Sequence, residues 1–446
     1  MIQNSNPEEK VGLTKILLIG LAFMTTQILW AHYNSAVPKI LKTVLIRDYG
    51  ENFTLFGSIG ILTIVGFIMT WDNIIAFFFQ PYIGVRSDNT RTRFGRRMPY
   101  IMIGIPCAAI LFMIIPIAGN FVIWTIIPVL LLFNFSMAFY RSPAVSLMPD
   151  LVPSSERSFA NGAINLMGGL GSAIMFLVGG ALYDIDVTLS FVFGSVLIVI
   201  LGIMLFFTVK EPKEYTTATL EEKKEQQIQS KKEPGVLTQL KFIFKSPEKS
   251  QLFMLLAIFS WFMAWNAIEA FFTLYAEEIF GVTIGQAEKS LIFFSVLFIA
   301  AALPAGYIGQ KIGRIRTMRI GLFVFILILF AGNFVKTLGL FSFVLMGAGV
   351  CWALINVNSI VVIWHHANDN GSGTGIYYAF SSLAAILGPV LSGFVADQAH
   401  TTALLLPFST VMLIVAFLFL LFVRKGEATD VIKKSVYLDS SDEPNF

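Results

Sequence analysis

Three ionisable side chains stand inside long apolar runs of this sequence: Asp72, Arg141 and Glu269. Such a group at the centre of a membrane helix costs about 2.5–3.5 kcal/mol on insertion scales, so each needs a compensating role. Two roles fit these residue types. An Asp–Arg pair can neutralise itself between packed helices. Alternatively, Asp72 or Glu269 takes up and returns a proton while Arg141 stabilises the deprotonated acid, because an acid in an apolar site can be tuned to cycle near neutral pH. The residues do not say which acid would carry the proton.

Polar and aromatic stripes at helical spacing accompany these charges. Gln27, Trp30 and Asn34 share one face, as do Asn161, Asn165 and Ser172. Trp261, Trp265 and Glu269 fall in one sector; Trp352, Asn356 and Ser359 line up, and so do Thr374, Tyr378 and Ser381, with Tyr377 alongside. Flat aromatics for C–H faces and amides or hydroxyls for OH groups are what a sugar requires. Small polar residues also bind membrane helices to one another, so a single stripe has two readings. His32 points away from the Gln27–Asn34 face and reads as structural. The adjacent His365 and His366 point to different faces and do not make a metal site. Cys107 and Cys351 form no CxxC pair and read as buried, inert thiols. No metal or cofactor is expected.

The elements that must position these residues follow from composition. The 446 residues are 56% hydrophobic and 13% charged, about half the charge of a soluble protein. Apolar segments of about 20 residues, long enough to cross a bilayer, recur throughout. The first, beginning at Ile16, has no small-residue cleavage site after it and reads as a retained helix. Periodicity and length predict an all-α membrane protein of twelve helices, near 14–38, 54–83, 98–117, 121–148, 160–182 and 188–209, then 250–276, 287–310, 317–335, 339–364, 373–396 and 402–423. The expected organisation is a six-helix bundle at 1–209, a polar linker at 210–249, a second bundle at 250–425 and a tail at 426–446. Orientation comes from Lys and Arg in the connections. The 210–249 linker has nine lysines and the 86–97 connection five arginines, whereas the connections after helices three, five and eleven have neither residue. Even-numbered connections and both termini are therefore expected in the cytoplasm.

One loop occurs twice. GVRSDNTRTRFGRR follows the second helix and GYIGQKIGRIRTMR the eighth. Gly84 aligns with Gly306, Asp88 with Gln310, and Gly95-Arg96 with Gly313-Arg314, the second loop being four residues shorter before its Gly-Arg. Basic inner loops are general in membrane proteins, but that does not explain the repeated order. Two matching six-helix halves are the mark of a repeat-built transporter. A glycine lets helix ends approach closely, and an acid there can pair with an arginine. Gly84, Asp88, Arg93, Gly95, Arg96, Arg97, Gly313 and Arg314 are the expected gating residues, a charged latch that breaks as the halves rock.

This loop resembles the motif of the major facilitator superfamily, G-x-x-x-D-(x)-(R/K)-x-G-R-(R/K). More narrowly, Gln80-Pro81, Gly84, Ser87-Asp88, Arg93, Gly95-Arg96-Arg97 and Pro99 are similar to the signature of plant sucrose transporters and their animal and bacterial relatives. RSPAVSLMPDLVPSSERS (141–158), WALINVNS (352–359) and GTGIYYAFSSLAAILGP (373–389) resemble the glycoside–pentoside–hexuronide:cation symporters. That resemblance implies the major facilitator fold, with helices one, two, four, five, seven, eight, ten and eleven lining a cavity. There are departures: melibiose-type symporters carry a paired-acid motif where Gln80-Pro81 stands, and an acid where Arg141 stands. The resemblance therefore implies proton rather than sodium coupling.

The expected function is proton-coupled import of a sugar by alternating access, with Asp72, Arg141 and Glu269 coupling. Gln27, Trp30, Asn34, Asn161, Asn165, Trp265, Trp352, Asn356, Tyr377 and Tyr378 would bind the sugar. Export of drugs or small metabolites on the same scaffold is the alternative, favouring a greasier cavity with fewer amides. No nucleophile–base constellation or phosphate loop argues for an enzyme. The partners expected are the sugar, a proton and the bilayer, with no nucleic acid and no second subunit.

Overall fold

The computed structural model describes residues 11–153, 157–211, 243–366 and 370–425. Most of the 210–249 linker and all of the 426–446 tail lie outside them, as do the side chains of residues 154–158, of Trp364, His365 and His366, and of 370–372. The described residues form helices and turns, with only two isolated bridges, Leu55 to Ile59 and Thr92 to Gly95.

Among the described residues, twelve helices are long and apolar enough to cross a membrane. In chain order they are α1 Leu13–Tyr49, α2 Ile61–Asn89, α3 Met98–Ala118, α4 Ile123–Leu151, α5 Phe159–Ile185 and α6 Val187–Thr208. The second six are α7 Ser250–Phe280, α8 Ile284–Ile312, α9 Arg314–Gly332, α10 Leu338–Ile363, α11 Gly373–Ala399 and α12 Thr402–Leu421. Apolar residues surround these helices instead of forming one stripe, which is the pattern of a helix packed on one side and bathed in lipid on the other. In α3, Ile103, Ile110, Ile114 and Ile117 recur at helical spacing and are all exposed, while Ile101, Ala108, Phe112 and Ile115 are buried. α12 opens on a 3-10 turn at Thr402–Leu404, and two helices are interrupted along their length. α2 breaks at Thr70 into Ile61–Met69 and Trp71–Asn89, and α5 contains a π-helical turn at Met175–Gly179.

Two compact units result. The first comprises the described residues within 1–53, 71–222 and 283–292; the second comprises those within 54–70, 223–282 and 293–446. Each buries its own aromatic core: Tyr33, Phe112, Phe133 and Phe191 in the first, Trp261, Phe272 and Phe341 in the second. Equivalent helices pack alike in both. α1 lies against α5 as α7 lies against α11, and α3 against α4 and α6 as α9 against α10 and α12. The repeat read from two loops thus extends through the packing.

Each unit also takes a short segment from the other half of the sequence. The Ile61–Met69 segment packs on α11 in the second unit, where the Asp397 carboxylate caps it. Asp397 accepts from the amides of Leu62 at 2.9 Å and Thr63 at 2.7 Å, and from the Thr63 hydroxyl at 2.5 Å. An acid there satisfies orphan amides and meets the positive end of the helix dipole. Conversely, the first turns of α8 belong to the first unit, where Asp184 accepts from the Gly285 amide at 3.1 Å and pairs with Lys289 at 3.3 Å.

Candidate functional site

The arginine-rich loop is a closed network. Gly95 has φ of +107° and Gly313 φ of +101°, a left-handed conformation that side chains resist, so both Gly-Arg steps need glycine for one reason. The turn at Gly95 aims the next amides at Glu211, which follows α6. The Glu211 carboxylate accepts from the backbone amides of Arg96 at 2.9 Å, Arg97 at 3.0 Å and Met98 at 2.6 Å, sealing the start of α3. The two guanidinium groups turn inward and converge on Asp150 at the end of α4. Arg96 meets its carboxylate at 2.7 and 3.0 Å, and Arg97 Nε donates to it at 2.9 Å. Arg97 also donates to Ser87, to Asp88 and, at 3.2 Å, to the Gly84 carbonyl oxygen. Arg93 instead lies over the exposed Phe94 ring, 4.5 Å from its centre.

Five expected gating residues, Gly84, Asp88, Gly95, Arg96 and Arg97, therefore meet in one cluster. Asp150 and Glu211 complete it and were not among the expected residues. Their signal was available: each acid sits where an apolar span ends, on the side to which the chain returns to its arginines. In the second half Gly313 caps α9 and precedes Arg314. The close approach there falls one turn beyond Gly306. A side chain on Gly306 would meet nothing nearer than Val357 at 3.7 Å, whereas one on Gly309 would lie 2.0 Å from Asn358. Arg319 donates to the carbonyl oxygens of Leu420 and Val423 at the end of α12.

Of the expected coupling residues, Asp72 and Arg141 lie in the first unit and Glu269 in the second. Asp72 stands in the first turn after the break in α2, where the helix dipole favours a carboxylate. It accepts from the Asn73 amide at 2.8 Å, and its charge reaches Tyr33. Arg141 is half-buried beside Tyr140, and Glu269 is exposed on α7.

The expected sugar-binding residues fall into two groups. In the second unit Trp265 stacks on Trp352 with ring centres 4.6 Å apart and planes 19° apart. The Tyr377 hydroxyl bonds Ser359 at 3.1 Å and donates to the Asn356 side chain at 3.3 Å. Phe262 joins the halves of the cluster edge-on to both Trp352 and Tyr377. Tyr378 packs edge-on against Tyr377 and is exposed. In the first unit Trp30 meets Tyr33 and Phe133 edge-on, and Asn134 donates to the Tyr33 hydroxyl at 3.3 Å. Trp30 Nε1 and Asn134 Oδ1, one donor and one acceptor, are buried without a hydrogen-bond partner among the described residues. Gln27 packs on α5 near Gly168, and Asn34 is half-buried on α1. Asn161 and Asn165 are exposed and bonded to each other along α5. Tyr33 and Asn134 were not foreseen, because neither belongs to a polar stripe.

His32 is wholly buried. Its Nδ1 lies 2.7 Å from Glu288 and its Nε2 2.8 Å from Ser190. The expectation that it faces away from the Gln27–Asn34 side agrees with this placement, but its partner is a buried acid on α8.

A twelve-span helical protein with internally repeated packing defines a class, and comparison with known proteins gives it a name. Residues 16–301 and 280–436 match the Major Facilitator Superfamily. The chain belongs to that superfamily and is a multi-pass integral membrane transporter, not an enzyme. Its fold is similar to a bacterial homologue of the human lysosomal transporter Spinster, at 13% identity, covering 92% of this chain and 96% of that one with a TM-score of 0.69. It is also similar to the nucleoside transporter NupG, at 15% identity, covering 93% and 100% with a TM-score of 0.68. No curated protein matches the sequence.

Proposed function

We propose that this transporter imports a sugar, whether glucoside, disaccharide or hexose, by proton-coupled alternating access, as a member of the glycoside–pentoside–hexuronide symporters near the plant sucrose transporters. The observation that carries the reading is the aromatic–amide cluster of Trp265, Trp352, Asn356, Tyr377 and Ser359. Flat rings offer faces for C–H groups, and the amide and hydroxyls bond sugar hydroxyls. The pair of unpartnered atoms on Trp30 and Asn134 supports it, since one sugar hydroxyl both donates and accepts. Gln27, Asn34, Asn161, Asn165 and Tyr378 are assigned subsidiary contacts. Asp72, Arg141 and Glu269 couple the proton, and the Gly84–Arg97 loop, with Gly313 and Arg314, gates access. The two six-helix halves act as the rocking bodies, with both termini cytoplasmic and the protein monomeric.

Uptake of radiolabelled sucrose, maltose and glucose into proteoliposomes, with and without a proton gradient, tests this directly. One of the three should accumulate against its gradient only when protons flow inward. If none is taken up under either condition, the sugar reading fails.

A further inference from the structure

We propose that His32, Glu288 and Ser190 form a proton-binding latch that fastens the Ile284 end of α8 to α1. The inference deepens the proton-coupled reading above and rests on it for its role in transport, though not for the binding of the proton itself.

Ser190 lies against the Nε2 side of the imidazole. Its hydroxyl carries one proton, and two acceptors compete for it: the Val187 carbonyl oxygen at 2.7 Å and His32 Nε2 at 2.8 Å. When Ser190 donates to Val187, Nε2 must carry a proton and donate to Ser190. His32 Nδ1 and Glu288 Oε1, 2.7 Å apart, then need a second proton between them, because two lone pairs cannot face each other at that distance. This is the loaded form, neutral overall, an imidazolium on a carboxylate or an imidazole on a carboxylic acid. Release gives a neutral imidazole protonated at Nδ1, a carboxylate, and a proton to water. Ser190 then turns its hydroxyl from Val187 to the vacated Nε2.

The released form leaves a net negative charge in a poor place. His32 and Glu288 are both 0% exposed. Phe112, Phe191 and Tyr183 surround the imidazole with ring centres 4.6–6.0 Å away. Among the described residues Glu288 Oε2 is buried without a hydrogen-bond partner of good geometry; the Ser35 hydroxyl beside it gives the carboxylate only partial support, being shared with the carbonyl oxygens of Ala31 and His32. The charged groups facing the site are Asp184, beyond the end of the π turn, and Lys289, which is turned onto Asp184 at 3.3 Å. Asp184 repels a second negative charge, and its own cation is already engaged. A buried, half-satisfied carboxylate beside another acid is relieved by exposure to water. Proton loss therefore favours an arrangement in which residues 283–292 leave α1, and proton binding favours the packed one. Such a bias is what a coupling ion must supply, since it acts only through unequal affinity for two states.

The test is hydrogen–deuterium exchange of residues 283–292 in the full-length protein in nanodiscs, between about pH 5 and 8, corrected for the intrinsic pH dependence of amide exchange. Protection in the parent should fall as pH rises, by up to about tenfold per pH unit, the limit set by one linked proton. Glu288→Gln supplies an amide N–H to Nδ1 in place of the proton, so its protection should stay at the parent's low-pH level throughout. A parent whose protection does not change with pH overturns the latch without recourse to any variant. So does a Glu288→Gln protein that retains the parent's pH dependence. If the parent's protection is proton-linked while sugar uptake ignores the gradient, the coupling reading falls and the latch stands. The reverse pair of results removes the latch and leaves the function.

Discussion

Asp150 accepts from two guanidinium groups that are only 2% and 3% exposed, so its loss would strand both. Asp150→Ala is expected to cost about 3–5 kcal/mol, the usual penalty for breaking a buried ion pair from one side. Thermal unfolding in detergent, followed by intrinsic fluorescence, reads that loss. Asp88 pairs with the same Arg97 but is 30% exposed, and the two acids should therefore behave differently. Asp88→Asn should leave stability nearly unchanged and slow transport with affinity kept, if the loop acts as proposed, gating motion without binding substrate. A well-inserted Asp88→Asn protein that has lost binding altogether would refute the gating role. On the substrate side, Asn134→Leu and Asn356→Leu each remove an amide from an aromatic cluster. Each should weaken sugar affinity by up to about tenfold, the worth of one hydrogen bond, as measured by equilibrium binding. Unchanged affinity in both would remove these clusters from the binding site.

Helix ends and close approaches fix where the backbone tolerates only glycine. The two Gly-Arg steps share a positive φ, and a side chain at Gly95 would also meet Glu211 at 2.5 Å. Backbone strain alone should cost about 1–3 kcal/mol there. Of the aligned pair, only Gly306 is less constrained than the motif implied; a side chain on Gly84 would crowd the Ser142 hydroxyl at 3.1 Å. Gly309→Ala should accordingly lower the melting temperature more than Gly306→Ala, since only the former drives a methyl into Asn358, which also donates to the Ala305 carbonyl oxygen at 3.1 Å. Equal effects would mean that the Gly309–Asn358 contact is not maintained in the membrane.

For the whole transporter the decisive measurements are of topology and coupling. A reporter fused after Ser230 should be cytoplasmic and one inserted near Asn120 external, as the distribution of lysine and arginine requires. Labelling of the 210–249 segment from outside intact cells would reverse the orientation. Asp72→Asn should abolish uphill accumulation while sparing exchange of sugar between equal pools, which moves no net protons. Arg141→Ala should damage both. Glu269→Gln separates two roles: loss of exchange makes Glu269 a sugar ligand, and loss of accumulation alone makes it a proton carrier. If both acid-to-amide variants accumulate sugar like the parent, these acids are structural.

The number of spans, their order and the repeated loop were determined by the sequence alone, because they depend on local composition and length. A run of about 20 apolar residues crosses a bilayer whatever its neighbours are. The glycines at 95 and 313 were singled out by their repeated Gly-Arg order, but the reason read for them was close approach of helix ends, and their positive φ emerged only from the structure. The Trp352–Asn356–Ser359 stripe was also legible, because helical spacing by itself puts those side chains on one face. What α1, α4 and α8 press against their neighbours was decided only in the tertiary structure. His32 and Glu288 are 256 positions apart, and Asp150 and Glu211 reach arginines more than 50 positions away. In helices apolar on every side, periodicity does not mark which face meets which helix. Contacts of that kind exist only once helices from distant parts of the chain have packed, and there a buried acid must find its donor or be left unpaired.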